Sequence, residues 1–90
     1  MSRRYVVEIL PSALASLPRD DTGRRLLRAM HALELDFNQL DIEQAGNGVW
    51  YFYPEEVRGW AILFALSGGS RDVTVITVLR ARRMPRSSAN

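Results

Sequence analysis

Alternating apolar and polar positions mark the start of the chain, and apolar runs dominate its second half. In segment 5–10, Tyr5, Val7 and Ile9 share one face and Glu8 lies on the other, which predicts a β-strand. Three later runs, rich in β-branched and aromatic residues, predict three further strands. These runs cover residues 49–53, 60–66 and 73–79.

Two helices are predicted between the first strand and the others. Ser12 follows Pro11 as the expected cap of a short helical turn, and Pro18 closes that segment. A second helix is expected from the capping residues at 20–22 to about residue 37, because apolar residues recur there at spacings of three and four. This apolar stripe consists of Leu26, Met30, Leu33 and Phe37.

Glycines and polar residues predict the connections. Residues 39–47 are polar and acidic. Gly46 interrupts this segment and Gly48 follows it, so a surface loop is expected there. Residues 54–56 link the first two of the three later strands. Residues 67–70, Ser-Gly-Gly-Ser, predict a hairpin whose glycines supply the positive φ of a tight turn.

The middle strand has two unequal faces. Trp60, Ile62, Phe64 and Leu66 form a bulky face, which is expected to pack on the helices. The alternate positions are Ala61, Leu63 and Ala65, and they form a shallow face left for something else to cover.

These elements predict an α+β domain of order β-α-α-β-β-β. Its sheet is expected to have four strands, mainly antiparallel, with the two N-terminal helices packed on one face and the first strand joining the sheet at its edge. Residues 1–83 are expected to form a single domain, and residues 84–90 a flexible polar tail.

Composition narrows the function classes. The chain has no cysteine, which excludes disulfides and thiolate metal sites and suits a reducing cytoplasm. No apolar run approaches the length of a membrane span, and the basic start lacks the apolar core of a secretory signal. The composition therefore predicts a soluble cytoplasmic protein, and no cofactor or metal is expected.

Charge is distributed unevenly along the chain. All twelve basic residues are arginine, and a GC-rich genome is one explanation for that usage. Segment 1–33 has six arginines and three acids, segment 34–56 has six acids and no base, and segment 57–90 has six arginines and one acid. If folding brings the two ends together, one surface becomes strongly positive.

The element order and residue types resemble the RelE/ParE superfamily of bacterial toxins. Members open with a strand, a proline and a short Ala/Leu-bearing helix, as residues 6–17 do here. They close with aromatic-rich strands and a last strand ending in basic residues, as residues 60–64 and 73–83 do. The resemblance covers roughly residues 5–83, and it rests on patterns of residue type.

The resemblance implies a small cytoplasmic toxin that a cognate antitoxin protein wraps and neutralises. RelE-like members cleave mRNA on the ribosome, and ParE-like members inhibit DNA gyrase. Two features depart from the family pattern. Ala61 occupies the position after the strand aromatic where an arginine is common, so Arg58 is the nearest substitute. No histidine or tyrosine lies in residues 84–90, where many ribonuclease members place one.

Cleavage of RNA through its 2′-hydroxyl needs an acid, a base and cations for the transition state. Arginine suits the third task, because its planar fork binds phosphate and keeps its charge. Arg80 and Arg83 are therefore the candidate catalytic cations of a possible metal-independent endoribonuclease. The nucleic-acid or anion-binding candidates are Arg58, Arg80, Arg82, Arg83, Tyr51 and Tyr53.

Each candidate also has a purely structural interpretation. The tyrosines share a strand face, where packing explains them as well as base stacking does. The strand-end arginines also suit a solvated end that resists aggregation. His31, the only histidine, is expected at the surface, and the arginines at 24, 25 and 28 are expected on a solvated helix face.

The preferred hypothesis is a RelE-like toxin that inhibits translation by cleaving mRNA on the ribosome, or at least binds RNA through its basic strand end. Three alternatives remain open. One is a ParE-like inhibitor of DNA gyrase, and another is a member of the family without toxicity. The third is a small non-catalytic interaction domain that forms a homodimer through its sheet.

Overall fold

The computed structural model describes residues 4–35, 37, 40–70 and 72–84. Within these residues the chain forms two helices and one five-stranded sheet. In chain order the elements are β1 (Arg4–Ile9), α1 (Pro11–Ala15), α2 (Asp21–Ala32), β2 (Ile42–Gly46), β3 (Val49–Phe52), β4 (Trp60–Ser70) and β5 (Val73–Arg83).

The sheet has the strand order β1-β5-β4-β3-β2. The α+β class is confirmed, and the first strand lies at the sheet edge as expected, but the sheet is mixed because β1 runs parallel to β5. The remaining neighbours pair antiparallel. The prediction of four strands was wrong, because β2 occupies most of the segment assigned to a surface loop.

A tight turn explains the additional strand. Asn47 and Gly48 link β2 to β3 with φ values of 55° and 76°. Positive φ at both central residues is typical of the two-residue hairpin turn that matches strand twist, and Asn-Gly is the residue pair it favours. The strand itself is polar and mostly exposed, so its hydrophobic pattern gave no indication of pairing.

Helix α2 begins at a side-chain cap and buries its predicted stripe. Asp20 Oδ1 accepts hydrogen bonds from the N–H groups of Thr22 (2.9 Å) and Gly23 (3.3 Å). The helix ends at Ala32 rather than near residue 37. Leu33 and Phe37 nevertheless remain buried, because the turn after the helix continues over the same face of the sheet.

The bulky face of β4 forms the core, as predicted. Ile62 and Phe64 are fully buried beneath α2, and Trp60 and Leu66 pack at the margins of the same cluster. The Phe64 ring meets the Phe37 ring edge-on, with centroids 5.7 Å apart. Phe37 also contacts Tyr5 of β1 at 4.8 Å, so aromatic contacts join two strands to the segment after α2.

The opposite side of the sheet is here called the open face. Ala61 is 0% exposed, yet it lies outside the core cluster because it faces away from α2. Leu63 and Ala65 are half-buried on the same side, and Val6 of β1 is 39% exposed. No helix among the described residues covers this face.

The hairpin predicted at residues 67–70 differs in detail. Strand β4 continues through Ser70, and Gly68 pairs with Thr74 without a positive φ. The expected turn at 67–70 is therefore the end of a strand. Of the predicted tail, Met84 donates its N–H to the Gly59 carbonyl at 2.8 Å, and residues 85–90 lie outside the described residues. Among the described helices, none is long and apolar enough to cross a membrane.

Candidate nucleic-acid interface

The arginine cluster lies within β5. The apolar run that predicts the last strand covers residues 73–79, and the strand was expected to end in Arg80, Arg82 and Arg83; β5 does extend to Arg83, and its pairing with β4 reaches that residue. All three arginines are exposed. Because β5 pairs with β4, the sheet sets their backbone positions, and each side chain lies on a defined face of the sheet.

A β-bulge decides which face each arginine occupies. Val78 is opposite Phe64 and Arg80 is opposite Leu63, so Leu79 is an extra residue in β5. The bulge shifts the alternation by one position. As a result Ala81 is buried, Arg80 and Arg82 lie on the open face, and Arg83 lies beside Trp60 on the helix side.

Two serines, one in helix α1 and one at its C-cap, fix the bulge. The Ser12 hydroxyl donates to the Leu79 carbonyl at 2.9 Å, and the Ala81 N–H donates to the Ser16 hydroxyl at 2.8 Å. Leu10 N–H also donates to the Val78 carbonyl at 3.1 Å. Strand β1 ends at Ile9, so α1 takes over the edge of β5 and satisfies its backbone.

The sequence did not indicate that Ser12 and Ser16 hold the bulge that orients the arginines. Ser12 was expected to cap α1, but the cap position is Leu10, which has no side-chain hydrogen bond, and Ser12 lies within the helix. Its partner is 67 residues away in the sequence, and that of Ser16 is 65 residues away. No local signal in the sequence reports such a contact.

We expect Ser16→Ala to lower the free energy of unfolding by about 1–3 kcal/mol, because the partly buried Ala81 N–H loses its acceptor. Ser12→Ala is the matched control. It removes an exposed hydrogen bond to Leu79, so we expect a loss of about 0.5–1.5 kcal/mol. Urea unfolding followed by circular dichroism measures both. A Ser12→Ala variant less stable than Ser16→Ala would contradict this assignment.

The tyrosines of β3 share the open face with two arginines. The pairing register places Tyr51 opposite Leu63, which is opposite Arg80. Tyr53 follows β3 next to the Ala61–Arg82 pair. The Tyr51 and Tyr53 rings lie 6.4 Å apart and are tilted by 40°. Two strand spacings, about 10 Å, separate the tyrosine row from the arginine row.

Arg58 lies apart from these rows. It is exposed in the loop between β3 and β4 and lines an open groove of ≈ 630 Å³. We call this the loop groove; its lining residues are Tyr53, Pro54, Glu55, Val57, Arg58, Gly59 and Trp60. The loop groove adjoins the end of β5, because Trp60 pairs with Arg83 and Ala61 with Arg82.

Among the described residues, no ion-pair partner contacts the candidate arginines of this interface, which are Arg58, Arg80, Arg82 and Arg83. By contrast, Arg25 on α2 pairs with Asp21 at 2.8 Å, as one turn of helix permits. Among the paired strand residues that the structure describes, the acidic ones on the open face are Glu8, opposite Thr77, and Glu43, opposite Tyr51. Glu43 lies at the far edge of the sheet, three strands from Arg80.

Arg4, the described arginine of β1, lies far from the arginines at the end of β5. β1 does pair with β5, but Arg4 is opposite Val73 at the start of that strand. Arg80 is seven residues further on, roughly 23 Å away at the rise of an extended strand. Among the described residues, the positive charges near the tyrosines therefore come from the end of β5 and from Arg58, which lines the loop groove with Tyr53.

Acid–base groups near the arginines are few. His31 is exposed on α2, which packs against the other face of the sheet, so it does not reach the open face. The candidate cations Arg80 and Arg83 lie on opposite faces. Within the described part of the chain, no group of His, Asp and Glu side chains could hold a metal ion.

The arrangement offers fixed cations, aromatic rings and an apolar strip between them, which suits an anionic ligand with flat rings. Comparisons with known proteins add no family to this description. No family model, curated protein or solved structure matches the chain.

Proposed function

We propose that this protein is a RelE/ParE-like toxin that acts in the bacterial cytoplasm, binds RNA on the open face and inhibits translation. One observation supports the proposal most strongly. Arg80 and Arg82 project from the same face of the sheet as Tyr51 and Tyr53, and Leu63 and Ala61 of β4 lie between them.

The charges suit a phosphate backbone. Arg80 and Arg82 are two residues apart on one strand, a separation of about 7 Å. Neither has a carboxylate partner among the described residues, so both guanidinium groups are available for phosphate oxygens. The sheet holds their backbone, which lowers the entropy lost when they meet a ligand.

The aromatic residues suit unpaired bases. RNA-binding sheets stack exposed bases on aromatic side chains, and stacking tolerates any base because every base has a π face. Tyr51 and Tyr53 are half-buried, so their rings are held in place and still accessible. A single strand lying across β4 would contact tyrosines on one side and arginines on the other.

Cleavage of mRNA is the RelE-like form of this proposal. Arg80 would stabilise the charged transition state, and the described acid–base candidates on the open face are tyrosines and glutamates. Tyr51 and Tyr53 are therefore the residues on the open face to substitute first, by phenylalanine, if cleavage is observed. Binding to mRNA without cleavage would also block translation.

Inducible expression in a bacterial host tests the proposal. We expect growth arrest with a fall in amino-acid incorporation, and we expect both to be reversed by co-expression of the neighbouring open reading frame as the antitoxin. Mapping of mRNA 5′ ends on ribosomes reports cleavage, and plasmid supercoiling reports gyrase inhibition. Normal growth with unchanged amino-acid incorporation would refute the translation proposal.

The apolar part of the open face favours one other function, a homodimeric interaction domain. Val6 is 39% exposed there, and Leu63 lies on the same side of the sheet. If two copies pair through this face, Leu63→Glu converts a dimer to a monomer in analytical ultracentrifugation, and Arg80→Ala does not. A monomeric native protein would exclude this second function.

A further inference from the structure

The loop groove is concave. Among the described residues its lining comes from the segment 53–60, with one aromatic side chain at each end. Tyr53 directly follows β3, and Trp60 is the first residue of β4. Its volume of ≈ 630 Å³ falls within the range of small-molecule sites in proteins.

The loop that forms the groove is anchored at several points. Val57 is buried in the core cluster and donates its N–H to the Pro54 carbonyl at 3.2 Å. Met84 donates to the Gly59 carbonyl at 2.8 Å, which ties the loop to the end of β5. Gly59 has a φ of 86°, a value that side chains disfavour. The groove is therefore preformed.

Charges around the groove favour an anion with a flat ring. Arg58 lines it directly, and Arg83 and Arg82 lie opposite Trp60 and Ala61 on the adjacent strand. Glu55 lines the groove as well, and its carboxylate can accept hydrogen bonds from the N–H groups of a base. Arg58 with one of the two adjacent β5 arginines, two aromatic rings and one carboxylate match the parts of a nucleotide.

We propose that the loop groove binds one nucleotide of single-stranded RNA. The base contacts the rings of both Trp60 and Tyr53, and the phosphate is bound by Arg58 with Arg82 or Arg83. This inference rests on the proposed RNA-binding function and extends it, because it places one unstacked base at the end of the open face. It also assigns a role to Trp60, which the open-face arrangement does not use.

Tryptophan fluorescence tests the site directly. The chain has two tryptophans, so Trp50→Phe leaves Trp60 as the single reporter. We expect adenosine 5′-monophosphate to quench Trp60 saturably with a dissociation constant on the order of 1 mM, as one stacked base and one phosphate would give. Ribose 5-phosphate and inorganic phosphate, which lack the base, should leave the fluorescence unchanged.

Two further variants locate the ligand. In the Trp50→Phe background, Arg58→Ala and Tyr53→Ala should each weaken binding about fivefold or more, within the range for a lost charged or stacking contact. Arg24→Ala, which removes an exposed arginine from α2, should leave it unchanged. If Trp50→Phe fails to fold, the indole N–H signals of the wild-type protein in NMR spectra provide the same titration.

The outcomes separate this inference from the proposed function. If adenosine monophosphate causes no saturable change while the protein still binds RNA and arrests growth, the groove assignment is wrong and the function stands. Equal quenching by ribose 5-phosphate would also overturn the groove assignment, because the base would play no part. Saturable quenching that depends on Arg58, in a protein with no effect on growth, supports a nucleotide site and rejects the toxin.

Discussion

Arg80→Ala/Arg82→Ala is expected to weaken binding of single-stranded RNA about 100-fold, as two lost contacts of about 1.4 kcal/mol each would do. Both side chains are exposed on the open face and have no ion-pair partner among the described residues, so their loss affects the ligand rather than the fold. Growth arrest and inhibition of translation should be lost with the affinity.

The salt dependence of binding identifies the mechanism. Each phosphate contact on a single strand contributes about 0.7 to the slope of log K against log salt, so the double variant should lower the slope by about 1.4. Fluorescence anisotropy of a labelled oligoribonucleotide at several salt concentrations measures both the affinity and the slope.

Arg24→Ala/Arg28→Ala is the matched control for this experiment. It removes the same two charges from α2, where both side chains are exposed on the other side of the sheet. We expect less than a threefold loss of affinity, because only the long-range field changes. Equal losses in the two double variants would show that net charge alone drives binding and that the open face is not the interface.

Gly23→Ala is expected to destabilise the protein by about 1–3 kcal/mol or more, although alanine is the better helix former. Gly23 is buried in the first turn of α2, and a Cβ atom there would overlap the Pro18 carbonyl oxygen. That oxygen belongs to the backbone, so relief requires α2 to move away from the segment that precedes it.

Gly68→Ala separates this effect from a general response to losing glycine. A Cβ at Gly68 in β4 has no heavy atom within 4 Å, and the residue has no positive φ. We expect unchanged or slightly higher stability there, by at most about 1 kcal/mol, since alanine restricts the unfolded chain. Thermal unfolding of both variants measures the difference. A Gly23→Ala variant as stable as the wild type would contradict the close approach.

Hydrophobic periodicity predicted the core correctly because burial on one face imposes it. The alternation of β4 separated Ile62 and Phe64 from Ala61 and Leu63, and the structure keeps that division. The apolar stripe of α2 was also correct, although the helix stops before the stripe ends. The segment after α2 still lies on the sheet, so its apolar side chains remain buried although helical hydrogen bonding has ended.

Hydrophobic periodicity could not predict which face of the sheet the arginines occupy. Strict alternation from Ile76 and Val78, which are buried, would place Arg80 and Arg82 on the core side. The bulge at Leu79 reverses this, and α1 stabilises it through hydrogen bonds across more than 60 residues of sequence. Strand β2 was not predicted for a different reason. Its residues are mostly polar and exposed, so no buried face imposes a hydrophobic alternation on its sequence.

Strand β5 lies between β1 and β4, although it is the last of the five to be synthesised. Until it emerges from the ribosome, β1 has no neighbour in the sheet, and its partners in β5 are 69 residues further along the chain, as in the Arg4–Val73 pair. Pairing over such separations is slow compared with local hairpins. The nascent chain therefore exposes its apolar β1 and β4 before it has Arg80 or Arg82. During translation, susceptibility to aggregation precedes any affinity for RNA.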